Sequence, residues 1–111
     1  MGLSKTTLFT EQQNALAALA KALGHPARVA IVDHLLQAEA CINSDLVQEL
    51  GLAQATISQH LRELKDAGII QGTIEGPRMS YCINPHRWEQ VADMFSQFFG
   101  RYQQKPADGC C

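Results

Sequence analysis

The hydrophobic period of this chain changes near residue 69, and this change narrows the possible folds most sharply. Before it, residues 43–51 (NSDLVQELG) and 53–68 (AQATISQHLRELKDAG) carry apolar side chains at helical spacing, with almost no linker between them. After it, residues 69–84 (IIQGTIEGPRMSYCIN) place apolar side chains around the turn sequence EGPR. The pattern predicts two helices joined by a tight turn and followed at once by a β-hairpin.

Capping residues predict three further helices. The first starts near Thr10, because Thr10 and Gln13 have the spacing of a capping box. The second opens at the sequence HPAR, where Pro26 is tolerated in a first turn. The last follows the hairpin, with Asn84 as its cap and Pro85 at its first position.

Each of the longer helices is expected to bury one apolar stripe. The stripes are Leu16, Leu19, Ala20 and Leu23 in the first helix, Val29, Val32 and Leu36 in the second (widened by Ile31 and Leu35), Ile57, Leu61 and Leu64 in the fourth, and Trp88, Val91, Phe95 and Phe98 in the last. The order of elements is then four helices, a hairpin and a helix.

This order predicts a mainly α fold with a small β-hairpin wing, that is, a winged helix-turn-helix. The length of 111 residues suits one compact domain. We expect an N-terminal extension at 1–9, the winged helix-turn-helix domain at 10–104, and a flexible Cys-containing tail at 105–111.

The fourth helix has a polar face opposite its apolar stripe. The candidate DNA-contacting residues are Gln54, Thr56, Ser58, Gln59, Arg62 and Lys65, with Arg78 at the wing tip. Gln can bond adenine edges in a major groove, and Arg can form two bonds to guanine. The formal net charge is −2, so bulk charge does not favour nucleic acid, and such a face is often only solvated surface. The tight turn and the wing favour DNA contact.

Two motifs carry a resemblance to a known family. The family sequence L-x-x-P-x-R is matched by Leu23, Pro26 and Arg28. Its recognition-helix pattern is matched by Gln54, Thr56, Ser58, His60, Leu61, Leu64, Ala67 and Gly68. Over about residues 15–100 the chain resembles the ArsR/SmtB family of metal(loid)-responsive repressors.

The resemblance implies a homodimeric repressor that leaves double-stranded operator DNA when its inducer sites are loaded, with the first and last helices pairing the subunits. Apolar surface for that pairing is supplied by Leu8, Phe9, Leu16, Leu19, Phe95, Phe98 and Phe99. The alternative is that these residues close the core of one subunit. His60 matches the family's histidine and is expected to be structural or a phosphate partner. Ala53 departs from the family's usual Ser, which would cap the recognition helix.

The chain has four cysteines, Cys41, Cys82, Cys110 and Cys111. No apolar run suits a signal peptide or approaches the ~20 residues of a membrane span. We therefore expect a cytoplasmic protein without a membrane partner, in a compartment where thiols stay reduced. The cysteines are then candidates for reactivity or metal binding.

The resemblance directs attention to thiolates as the inducer site. Arsenic sensors of the family often have the sequence C-V-C-D-L, whereas this chain has CINSDL, in which Asn43 replaces the second cysteine. A trivalent arsenic or antimony centre, or an organoarsenical, selects soft sulfur ligands. We expect Cys110 and Cys111 to act with Cys41 or Cys82, both of which should point outward from neighbouring strands. No cofactor is required besides this inducer.

Other functions are open. A cysteine-based redox or persulfide sensor of the same fold is the main alternative. A zinc site at His86, Glu89 and Asp93 lacks a spaced histidine pair. A winged-helix interaction module would need no inducer. An enzyme is not expected, because the chain has no C-x-x-C motif, phosphate-binding glycine loop or nucleophile–base set.

Overall fold

The computed structural model describes residues 8–38, 41–42, 50–74 and 79–102. The elements are α1 (Glu11–Leu23), α2 (Pro26–Ala38), α3 (Gln54–Asp66), β1 (Ile70–Thr73), β2 (Ser80–Ile83) and α4 (Pro85–Gly100). The predicted third helix at 43–51, except Leu50 and Gly51, and the wing tip EGPR at 75–78 lie outside the described residues. The prediction of a mainly α fold with a hairpin wing is confirmed.

Helix caps begin α1 and α4 where the sequence predicts them. Thr10 and Gln13 form the complete capping box, each backbone N–H donating to the other's side chain at 3.0 Å. Asn84 accepts from the backbone N–H of Arg87 at 3.2 Å, and Pro85 occupies the first turn. These local bonds satisfy donors that a helix start otherwise leaves open.

The corner between α1 and α2 is held by the GHPAR sequence. The Nδ1 atom of His25 accepts the backbone N–H of Ala27 at 3.0 Å, which caps the start of α2. Arg28 donates to the carbonyl oxygens of Lys21 and Ala22, both at 3.3 Å, which satisfies the end of α1. The two helices meet at 85°. Taken together, this bent pair has the length and composition of a membrane span. Among the described residues, no single helix is long and apolar enough to span a membrane.

The wing is an antiparallel pair of strands with a short third segment beside it. β1 and β2 pair from Ile70 with Ile83 to Thr73 with Ser80. On the other side of β2, Ile42 and Tyr81 exchange backbone hydrogen bonds of 2.8 and 3.1 Å. Gly72 has φ +116°, and a Cβ there would collide with the Ser80 carbonyl oxygen, so the close strand approach requires glycine.

The core lies between α2, α3 and the hairpin, with α1 covering one end. Its buried members are Ala22, Ile31, Val32, Leu35, Ile42, Ile57, Leu61, Leu64, Ile69, Ile70, Ile74 and Tyr81. The Tyr81 side chain is fully buried, so the strand beside Ile42 is anchored directly in the core.

The predicted stripe of α2 is wrong in detail. Ile31, Val32 and Leu35 are buried, whereas Val29 and Leu36 are 53% and 48% exposed. Apolar residues surround most of α2, so spacing alone could not select the face that packs on α3 and β2. The outer stripe residues of two other helices are also more open than expected, because Ala20 and Phe98 are exposed.

Candidate nucleic-acid interface and thiol site

Helix α3 separates apolar and polar residues cleanly. Its buried residues are Ile57, His60, Leu61 and Leu64. The exposed predicted residues are Gln54, Thr56, Gln59, Arg62 and Lys65, while Ser58 is half-buried. The helix therefore presents the predicted polar face to solvent.

A side-chain network crosses the middle of this face. The Nη1 atom of Arg62 donates to Gln59 Oε1 at 3.1 Å, and Gln59 Nε2 donates to Glu63 Oε1 at 3.3 Å. The network joins Gln59, Arg62 and Glu63 along the exposed face of the helix.

Lys65 ties the end of α3 to the wing. Its ammonium donates to the carbonyl oxygen of Gly72 in β1 at 2.6 Å. This predicted DNA contact already has a structural partner, which links the end of the helix to the hairpin.

The start of α3 has no side-chain cap. Ala53, the departure from the family pattern, occupies the N-cap position in an extended conformation and makes no side-chain hydrogen bond. Gly51, with φ +70°, turns the chain just before it. A helix N-terminus without a side-chain cap keeps N–H groups available for an anion such as a phosphate.

Arg87 is a positioning residue that the sequence patterns did not reveal. Its Nε donates to the carbonyl oxygen of Ala67 at 3.3 Å, and its Nη1 donates to Gln90 Oε1 at 3.2 Å. The Arg87 side chain crosses over Gly68, where a Cβ would lie 3.1 Å from Arg87 Cγ. The start of α4 is thus joined to the end of α3, across 20 residues that no local pattern connects.

His60 lies on the core side of α3, away from the polar face. It is 7% exposed, its ring centroid is 4.4 Å from that of His25, and its Nδ1 has no hydrogen-bond partner among the described residues. Burial, and then the charges of His25 and Arg28, lower the pKa of His60, against a smaller opposite effect of Glu63. Of the two roles expected for His60, this position fits the structural one and places the ring away from any phosphate on the polar face.

Cys41 and Cys82 are neighbours, as predicted from the outward direction of both side chains. The two thiols share a hydrogen bond, and this bond is the main cause of a raised pKa at Cys41. Cys41 is exposed and Cys82 is half-buried, with Gln71 Nε2 at 3.9 Å from the Cys82 sulfur. The pairing of Ile42 with Tyr81 brings these sulfurs together.

The other predicted site residues are not joined to this pair. Arg78, Cys110 and Cys111 lie outside the described residues. Within the described part of the chain, no group of three or more His, Cys, Asp or Glu side chains is arranged to hold a metal ion, and this includes His86, Glu89 and Asp93.

A groove and several exposed apolar side chains lie near α1 and the end of α4. A groove of about 730 Å³ is lined by Thr10, Gln12, Gln13, Leu16, Met94, Gln97, Phe98 and Arg101. Exposed large apolar side chains in the same two parts of the chain are Leu8, Phe9, Phe98, Phe99 and Tyr102. The Phe99 ring is 6.0 Å from that of Phe95 and 5.7 Å from that of Phe98.

Comparison with known proteins places these features among bacterial regulators. Residues 25–71 match the family described as "Bacterial regulatory protein, arsR family". The chain is similar to the biofilm growth-associated repressor of Xylella fastidiosa, with 36% identity over 89 residues that cover 80% of this chain and 77% of that protein.

Two further similarities agree with this. The HTH-type transcriptional repressor SmtB of Mycobacterium tuberculosis is 37% identical over 78 residues, which are 70% of this chain but only 57% of that protein. The NMR structure of the cadmium metal-sensor CMTR from Mycobacterium tuberculosis has a TM-score of 0.51 at 29% identity and covers 86% of this chain and 95% of that chain.

The environment of His60 predicts acid sensitivity of the fold. Because the folded-state pKa lies below the ordinary value of 6.5, the unfolded chain takes up this proton first as the pH falls. The contribution of neutral His60 to stability is therefore complete above pH 6.5 and is lost as the pH falls through the folded-state pKa. We expect His60→Phe, which keeps a ring beside His25, to reduce the loss of stability between about pH 8 and about pH 5.

Urea midpoints at several pH values measure this effect. His86→Gln removes a histidine from the start of α4, away from the core, and should leave the acid sensitivity unchanged. Equal acid sensitivity of wild type and His60→Phe would contradict the assignment.

Proposed function

We propose that this chain, which belongs to the arsR family of bacterial regulatory proteins, binds double-stranded operator DNA through α3 and represses transcription. The observation that carries the proposal is the amphipathic α3, whose apolar side is held in the core while Gln59 and Arg62 face solvent. We further propose that a thiophilic inducer, bound by cysteine thiolates, releases the DNA.

The polar face of α3 suits a major groove. Gln54 and Gln59 carry amides that can form two bonds to adenine, and Arg62 carries a guanidinium that can form two bonds to guanine. Thr56 and the uncapped first turn suit phosphate contacts at the groove edge. The side-chain network between Gln59 and Arg62 must open or shift for both to reach bases.

Charge on α3 gives little general attraction to DNA. Arg62 and Lys65 are balanced along the helix by Glu63 and Asp66, and the chain carries a net −2. Affinity must then come from contacts placed at defined positions, with a modest dependence on salt for each subunit.

Homodimerisation would supply the remaining affinity by placing two copies of α3 on two half-sites. Several large apolar side chains exposed near α1 and the end of α4 support this, because contact with a second copy would remove them from water. We propose that Phe98 and Phe99 pack against the same surface of a second copy.

For the inducer we propose As(III), Sb(III) or an organoarsenical, bound in the cytoplasm where thiols stay reduced. The hydrogen-bonded Cys41 and Cys82 supply adjacent sulfurs from the body of the domain. Cys110 and Cys111 would supply the others from the end of the chain. The similarity to a cadmium metal-sensor supports soft metals as a wider class of inducer.

Inducer binding and DNA binding would be coupled through the wing. Cys82 lies in β2, and β2 pairs with β1, whose Gly72 accepts the hydrogen bond of Lys65 in α3. A ligand that prefers one arrangement of the thiol pair can therefore bias the position of α3. The free energy by which this ligand weakens DNA binding equals the free energy by which DNA weakens binding of the ligand. The adjacency of the two thiols equally favours a second candidate, release by oxidation or by sulfane sulfur.

Replacement of Arg62 tests the DNA interface. Arg62→Ala should weaken binding to a promoter duplex by about 1–3 kcal/mol and reduce discrimination at one base position, because a two-bond contact is lost. Fluorescence anisotropy measures both. Lys21→Ala removes the same charge from the exposed end of α1 and should have little effect. Equal losses for the two variants would reject α3 as the reading helix.

Replacement of Phe98 tests the dimer. Phe98→Glu would place a charge in the proposed interface and should convert the protein to a monomer in sedimentation experiments, because a buried unpaired charge is costly. Gln90→Glu adds the same charge to an exposed position of α4 and should leave a dimer. A Phe98→Glu protein that sediments as a folded dimer would contradict the proposal.

Release of promoter DNA by arsenite tests the inducer site. Cys41→Ser and the double variant Cys110→Ser/Cys111→Ser should each raise the arsenite concentration for half-release by at least about tenfold, since a tethered sulfur acts through its effective concentration. If arsenite releases DNA from the double variant as readily as from wild type, the tail cysteines are not part of the inducer site. Release by peroxide or sulfane sulfur, without release by arsenite, would select the redox alternative.

A further inference from the structure

The backbone pairing beside the wing places Cys41 and Cys82 directly opposite each other. Ile42 and Tyr81 exchange both of their backbone hydrogen bonds, so they form an isolated antiparallel bridge of the hydrogen-bonded type. Because the two segments are antiparallel, the residue before Ile42 lies opposite the residue after Tyr81. Cys41 and Cys82 are therefore the next pair, of the non-hydrogen-bonded type. The two side chains of such a pair lie on the same face of the sheet.

A non-hydrogen-bonded pair has the spacing that a disulfide needs. Its Cα atoms are about 4.5 Å apart, and most disulfides join Cα atoms about 4.4–6.8 Å apart. The two sulfur atoms therefore lie on one face of the strands, on neighbouring chain segments. Bond formation then requires only a small rotation of the side chains, without movement of the strands.

We propose that Cys41 and Cys82 are a reversible redox site that closes a cross-strand disulfide. The bond closes a covalent ring over 41–82, which contains α3 and the hairpin. The disulfide would join the segment at Cys41, which precedes the turn and α3, to Cys82 in strand β2 of the wing. The tail cysteines take no part in it.

The oxidant is a hydroperoxide. The thiolate of Cys41, the more exposed of the two residues, attacks the terminal peroxide oxygen and the O–O bond breaks. Cys41 becomes a sulfenic acid, while an alkoxide leaves from an organic hydroperoxide or hydroxide from hydrogen peroxide. The Cys82 sulfur then attacks the sulfenic sulfur, the S–S bond forms, and the sulfenic oxygen leaves as water with the Cys82 proton. A dithiol reductant reverses the reaction through a mixed disulfide.

The disulfide has a consequence for induction, and that part rests on the proposed function. Metal(loid) ligation needs both sulfurs as thiolates. The oxidised protein would lose two of its thiolate ligands and would respond to arsenite less readily until it is reduced. Redox state would thus control access of the inducer to the site.

Intact-mass measurement and peptide mapping after treatment with hydrogen peroxide test the disulfide. Wild type and Cys110→Ser/Cys111→Ser should both lose the mass of two hydrogen atoms and yield a cross-linked peptide that joins Cys41 to Cys82. Cys41→Ser and Cys82→Ser should not form this cross-link. A cross-link from Cys41 to Cys110 or Cys111, or over-oxidation of Cys41 beside a free Cys82 thiol, would overturn the proposal.

Urea unfolding distinguishes disulfide formation from a change in the fold of the variants. In the tail variant, oxidation should shift the urea midpoint upward, because the ring restricts the unfolded chain, and a dithiol reductant should reverse the shift. Urea midpoints under reducing conditions verify that Cys41→Ser and Cys82→Ser fold. DNA binding and its release by arsenite are measured separately on the reduced protein. If both are intact but the cross-link does not form, only the redox site is rejected.

Discussion

Burial of one side of α3 against the hairpin sets the positions of the other functional groups in the molecule. Ile57, Leu61 and Leu64 are almost fully excluded from solvent, together with Ile70 and Tyr81 of the strands. Each such side chain contributes roughly 1.5–3 kcal/mol when it leaves water. A rotation of α3 about its axis would expose several of them at once, so the polar side has only one direction in which to point. The proposed DNA-reading residues are positioned by the core behind them.

The ends of α3 differ in their attachments. Its C-terminal end is tied to the wing by Lys65 and to α4 by Arg87, through backbone carbonyl oxygens of Gly72 and Ala67. Its N-terminal end has no side-chain cap at Ala53. A displacement of α4 or of the wing can therefore reach α3 through two polar contacts, while the end proposed to approach phosphate keeps its N–H groups available. The exposed aromatic residues of α4 would make that helix sensitive to a second subunit.

The thiol pair uses the same architecture. The bridge between the buried residues Ile42 and Tyr81 also brings Cys41 beside Cys82, so core packing holds two thiols together near the surface. The proposed binding of a soft metal(loid) and the proposed disulfide would both use this one arrangement of sulfurs. Both would act at the base of the wing, which contacts α3 through Lys65.

Features that depend on near neighbours along the chain could be predicted from the amino-acid sequence. The capping box at Thr10, the cap at Asn84, the change of period at Ile69, the polar face of α3 and the outward direction of Cys41 and Cys82 all follow from local spacing and alternation. The folded molecule was needed to establish which side of the largely apolar α2 is buried, that Arg87 closes the end of α3, and that His60 lies against His25. These features depend on which surfaces meet after the chain has folded, and residues far apart in sequence carry no local pattern that records their contact.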